Sequence, residues 1–221
     1  MANVPDAKRI DACVAGCAES HQRLLEVVDA LADDAFAGDS HLPGWTRSHV
    51  VGHLALNARS HVHLISCAMR GEQGEQYPGG AAARAAAIDE ASGWLPADAR
   101  RELRRAVYEL EGGWAGASAE AWQGTGLSPS GLVVSIADLP FLRWRETVVH
   151  LADLDAGYTH QEWPHMWVRL ELDRQKMAWA ASHPMGLTQL PAAANALDER
   201  TRLAWLLGRL EVDGLPKGLG L

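Results

Sequence analysis

A chain of 221 residues, 48% of them hydrophobic, can build one large domain, or a domain with a smaller appendage, and is not intrinsically disordered. Its net charge of -8 argues against nucleic acid and anionic membranes as partners, but local arginines can still hold a small anionic substrate. Cys13, Cys17 and Cys67 suit a reducing compartment better than a disulfide framework; with no membrane-length apolar run and no signal-like N-terminus, the expectation is a cytoplasmic protein.

Residues 6–32 read as a helix, with Ile10, Val14, Cys17, Leu24, Leu25, Val28 and Leu31 at helical spacing. Gly38, Pro43 and Gly44 mark Ala35–Trp45 as a loop. Thr46 is a natural N-cap for a second helix running to about Arg70. The segment GEQGEQYPGG is a loop, and residues 81–92 form a short Ala-rich helix. Pro96 opens a helix over about 97–114, with Leu103, Val107, Leu110 and Trp114 on one stripe.

After the turn GLSPSG, a helix is expected from about Ser135 to Ala156, with Pro140 in its first turn or at a kink. The segment HQEWPH is read as a loop rather than a second metal site, despite His160 and His165. A helix then spans Met166–Ser182, GLTQLP is a possible strand, residues 197–209 are helical and the tail is glycine-rich. The pattern predicts a mainly α protein: a four-helix bundle over 1–160, then a small α/β appendage over 161–221.

Chemistry concentrates on two of these helices. Projected at ~100° per residue, Leu139, Leu142, Val149 and Asp153 fall near Glu146, and His150 lies one turn on at i+4. A carboxylate and an imidazole thus share an apolar stripe, where an unpartnered charge is costly and a cation is one remedy. On the second helix, Val50, Leu54, Ala58, Val62 and Ile65 form the stripe, with His53, Asn57 and His61 on or beside it and His49 further off. His53, Glu146 and His150 match a ligand set for zinc or another first-row divalent ion with one open position. Asp153 at i+3 could hold the His150 ring from behind. The spacing alone is equally compatible with a hydrogen-bonded Glu–His pair and a core-edge histidine.

Other features have plainer readings. Cys13 and Cys17, at i,i+4, are buried small hydrophobes rather than a redox pair, and Cys67 packs at a helix end. Trp114, Trp179 and Trp205 sit on apolar stripes and read as core. The run ADARRELRRAVYELE is a solvated helix face.

The stretch LPGWTRSHVVGHLALNA, followed about ninety residues later by RWRETVVHLADLDAGY, resembles the mycothiol-dependent maleylpyruvate isomerase family of the DinB-like superfamily. The likeness covers roughly residues 8–182 and resumes at AWLLGRLEVDGLP. It implies a DinB-like bundle whose metal triad falls on His53, Glu146 and His150, the set singled out by the projection. It also implies mycothiol as cofactor and the isomerisation of maleylpyruvate to fumarylpyruvate in gentisate breakdown. Cations should hold the dianionic substrate: Arg209, which matches an arginine of the family's C-terminal segment, is the first candidate for substrate or thiol carboxylate contact, and Arg84 after the YPGG loop is the second. Trp45 and Asn57 would line the cofactor pocket. The family's C-terminal domain is usually longer, so the appendage here reads as trimmed. A low-molecular-weight-thiol S-transferase and a non-catalytic DinB-like binding protein are the alternatives, as monomer or homodimer.

Overall fold

The computed structural model describes residues 6–183 and 189–220. The chain divides into two compact units, Met1–Gly157 and Tyr158–Leu221.

In the first unit, α1 (Ala7–Ala30) starts where the Asp6 carboxylate accepts from the backbone N–H groups of Lys8 and Arg9. Its buried face runs through Cys13, Cys17, His21, Leu24 and Val28. A 3-10 turn over Asp33–Ala37 buries Phe36 within the loop expected to be irregular. Thr46 caps α2 (Arg47–Met69) as the sequence indicates; its hydroxyl accepts from the His49 N–H, and the His49 ring accepts from the Thr46 N–H. α3 (Gly80–Ser92) lies on α2 at Gly52, where an added Cβ would stand 2.8 Å from the Ala91 methyl.

α4 (Pro96–Gly116) carries Pro96 in its first turn and buries Leu103, Val107, Leu110 and Trp114. A single-turn helix, α5 (Ala119–Trp122), leads into an antiparallel hairpin of β1 (Thr125–Leu127) and β2 (Val133–Ser135), with Thr125 opposite Ser135. Only its turn was expected from the sequence. α6 (Leu139–Asp153) follows a 3-10 turn at Ile136–Asp138, so it begins four residues later than the periodicity suggests. Pro140 sits in its first turn, where no N–H is needed.

α1 packs on α6 and α4, and α2 packs on α4 and α6, closing a ring of four helices around one core. Trp144 of α6 fits against Gly16 of α1, where any Cβ would strike its ring, and its indole N–H donates to Ser20 at 2.8 Å.

In the second unit, Thr159 and Glu162 cap a 3-10 turn over His160–Glu162, so HQEWPH is more ordered than a plain loop. α7 (His165–Ser182) and α9 (Glu199–Leu206) pack together, with the Trp179 and Trp205 rings 5.3 Å apart. Between them lies the one-turn α8 (Ala192–Asn195). Its described residues contain helices and no strand. Of GLTQLP, residues 186–188 lie outside the described residues and Gln189–Pro191 are irregular.

Candidate metal centre

α2 and α6 face each other in the ring, and each presents polar side chains to the other. His53 Nε2 lies 2.9 Å from Glu146 Oε2, and His150 Nε2 lies 3.6 Å from the same oxygen. The two imidazoles meet edge to face at 4.8 Å. One donor atom from each of His53, Glu146 and His150 falls within 4.8 Å of the others. His53 is 1% exposed and His150 is 7% exposed. The Glu146 side chain retains 24% exposure.

Asp153 lies one turn beyond His150, its Oδ2 2.9 Å from His150 Nδ1. The carboxylate oxygen accepts, so the imidazole holds a proton on Nδ1, and Nε2 turns toward Glu146. Trp45, half-buried, sets its ring edge against His53 at 5.7 Å and stacks on His49 at 6.0 Å.

The electrostatics follow from burial and contact. Burial pushes the His53 pKa down to about 4, against the opposing pull of Glu146. For Glu146, burial works upward, but hydrogen bonds from His150 and His53 overcome it and keep the carboxyl well below the usual range. Burial opposes charge on His150, while Asp153 and Glu146 together raise its pKa. A neutral imidazole, an ionised carboxylate and a second imidazole oriented from behind are a donor set that zinc and related divalent ions accept. The residues therefore fit the metal that the resemblance implies.

A cavity of about 550 Å³ opens beside the trio, lined by His53 and Glu146 and walled by α2, α6, the hairpin and the segment before α3. Arg84 lines it and donates from Nη2 to His53 Nδ1 at 3.3 Å, with its guanidinium over the Tyr77 ring at 5.8 Å. Asn57 lines it one turn beyond His53. Arg209 belongs to the second unit, where it donates to the Leu207 carbonyl at 3.1 Å.

Four further residues of this region escaped the sequence reading. Arg145, Tyr77 and Gln76 line the cavity, and Arg143 is buried behind it. For Arg143 a signal existed: it lies three residues before Glu146 and seven before His150, on the helix face that carries both. His61, noticed only as stripe-flanking, also lines the cavity, and burial pushes its pKa down to about 3. Cys13, Cys17 and Cys67 are all buried and free, and burial raises the Cys17 thiol far above its ordinary value.

Among solved structures, the crystal structure of the mycothiol-dependent maleylpyruvate isomerase superposes with a TM-score of 0.82 at 22% identity, over 94% of this chain and 96% of that one. A histidine-to-alanine variant of that enzyme gives 0.81, with the same identity and coverage. YfiT from Bacillus subtilis, described as a probable metal-dependent hydrolase with an unusual four-helix bundle topology, gives 0.56 at 15% identity. It covers 68% of this chain and 86% of that one. These likenesses establish the DinB-like bundle fold. Near-complete coverage in both directions makes this chain and the isomerase almost equal in length, so that enzyme lends no support to a trimmed C-terminal unit. A search of curated proteins finds no match. The family model for the mycothiol maleylpyruvate isomerase N-terminal domain matches residues 17–155, well over half of the 221 residues, and the chain belongs to that family.

Proposed function

We propose that this chain is a metal- and mycothiol-dependent maleylpyruvate isomerase, turning the cis double bond of maleylpyruvate into the trans bond of fumarylpyruvate. One observation carries the reading: in a chain of this family, His53, Glu146 and His150 meet beside a cavity that two arginines also line. In this reading the three side chains hold a divalent ion, zinc by donor type. Bound there, the metal supplies Lewis acidity that lowers a thiol pKa, and mycothiol supplies the sulfur that adds reversibly to the double bond.

The chain's own residues do the rest. Burial keeps His53 neutral and thus a ligand at neutral pH. Asp153 holds the His150 proton on Nδ1, which aims the Nε2 lone pair into the site. In the structure His53 Nδ1 accepts from Arg84, so its proton resides on Nε2, toward Glu146. A metal held through Nε2 would need that nitrogen's lone pair, so the ring proton would sit on Nδ1 and could not accept from Arg84. Arg84 also lines the cavity, where its guanidinium would meet a carboxylate. Arg145, on the same wall as Glu146, adds a second positive charge for a dianion. Arg209, from the family's C-terminal segment, is kept in this reading as a candidate for contact with the substrate or the thiol. No cysteine of the chain serves as nucleophile, because all three are buried.

The test is an assay of zinc-supplied protein with maleylpyruvate and mycothiol. The expected result is loss of the cis isomer with the thiol conserved and with dependence on Arg209. Thiol consumed one for one with the electrophile would instead identify an S-transferase. A purified protein that retains no metal and turns nothing over would be a binding member of the fold.

A further inference from the structure

Behind the cavity, four side chains from the four bundle helices form one directional hydrogen-bond chain. A guanidinium offers only N–H donors, so each partner must accept. Arg143 on α6 donates from Nε to His21 Nε2 at 3.0 Å. From Nη1 it donates to Asn57 Oδ1 and to the Leu54 carbonyl, each at 2.8 Å. His21 on α1 must then carry its proton on Nδ1, which donates to Glu111 Oε1 on α4 at 2.9 Å. The same logic fixes the Asn57 amide. Its oxygen is turned to Arg143, and the NH2 is what remains for the cavity that Asn57 lines.

Within this chain the only carboxylate, Glu111, reaches Arg143 through His21 and not directly. Arg143 is 0% exposed, its direct partners are all neutral, and its Nη2 has no partner. A buried cation with only neutral contacts is expensive. Two more buried polar atoms stand without partners nearby: His61 Nδ1 and the Tyr77 hydroxyl, both on cavity-lining residues within the field of Arg143. Buried polar atoms without partners are few in folded proteins, and three gathered at one wall require a reason. The wall offers the Asn57 NH2 and the Tyr77 hydroxyl, with the positive charge of Arg143 behind them, which is the complement of a carboxylate.

The geometry points to a carboxylate subsite at this wall. The Asn57 amide N–H receives the ligand's carboxylate, with the His61 imidazole and Tyr77 hydroxyl beside it. Arg143 is a positioning residue that fixes the amide and supplies the charge behind it. The subsite deepens the proposed function and rests on its dicarboxylate substrate class. It assigns one carboxylate to this wall and the other to Arg84 and Arg145.

The test titrates zinc-supplied protein with maleate, a stable cis-dicarboxylate, by calorimetry without mycothiol. Asn57→Asp preserves shape and gives Arg143 an ionic partner, so the thermal midpoint holds or rises and the zinc content is unchanged. Maleate affinity falls by about tenfold or more, because a like charge now faces the ligand. Tyr77→Phe, which deletes only a hydroxyl, lowers affinity several-fold. Unchanged maleate affinity in both variants overturns the subsite, as does the absence of saturable binding to the parent protein. The readout is independent of turnover: Asn57-sensitive maleate binding in a protein without isomerase activity would sink the proposed reaction and leave the subsite standing.

Discussion

Helices α2 and α6 meet at two buried polar clusters. At one, His53 faces Glu146 and His150; one turn along α2, Asn57 faces Arg143. The first cluster is rich in lone pairs and carries an ionised carboxylate. The second is rich in N–H donors and carries a buried guanidinium. In the proposed reading a cation completes the first and an anion the second. One helix pair, stepped by a single turn, thus prepares opposite polarity at neighbouring positions. That is what a site handling both a metal and a dicarboxylate needs.

The largest expected effect sets the guanidinium cluster against acid. In the metal-free protein, burial lowers the pKa values of His21 and His61 from 6.5 to about 4 and about 3. A depressed histidine gives stability that is fully present above 6.5 and is lost as pH falls toward the folded value. Each contributes on the order of 3 kcal/mol. Urea unfolding between pH 7 and pH 4 should show the loss. His150 has the opposite sign: its pKa is raised, so its contribution is full below 6.5 and disappears as pH rises through the folded value. Since protons compete with metal at His150, zinc loading should increase with pH over that same upper range.

Arg143→Ala comes next. It orphans His21 Nε2 and Asn57 Oδ1 together, removes a second bond to the Leu54 carbonyl, and should cost about 3–5 kcal/mol in denaturant unfolding. His150→Ala should instead leave the fold largely intact while lowering zinc affinity by roughly a hundredfold or more, read by competition with a chelator. If Arg143→Ala proved harmless and His150→Ala unfolded the protein, the two clusters would have exchanged roles. Asp153→Asn is milder, weakening zinc binding by roughly ten- to a hundred-fold. Arg105→Ala, at an exposed pair with Glu109, should leave the thermal midpoint unchanged.

Much of this was legible in the residues because it is local. The Thr46 cap, the Pro140 start and the stripes of α2 and α4 depend on neighbours within a turn or two, where spacing alone decides which side chains share a face. Glu146, His150 and Asp153 form one such local set. The hairpin at Thr125–Ser135 was missed because strands of three residues are too short to display alternation. The early start assigned to α6 came from a 3-10 turn, whose side chains imitate helical spacing.

What the sequence determined by itself is the set of helices, their buried faces and the identity of the side chains on them, since each follows from backbone period and capping within one segment. Only the tertiary structure decided that Arg143 joins His21 to Asn57, that His21 in turn reaches Glu111, and that Arg84 leans on His53. Those contacts join residues 31 to 122 positions apart. Their reason is long-range: the packing of four helices sets which buried donors meet which acceptors, and no periodicity within a single helix encodes that pairing.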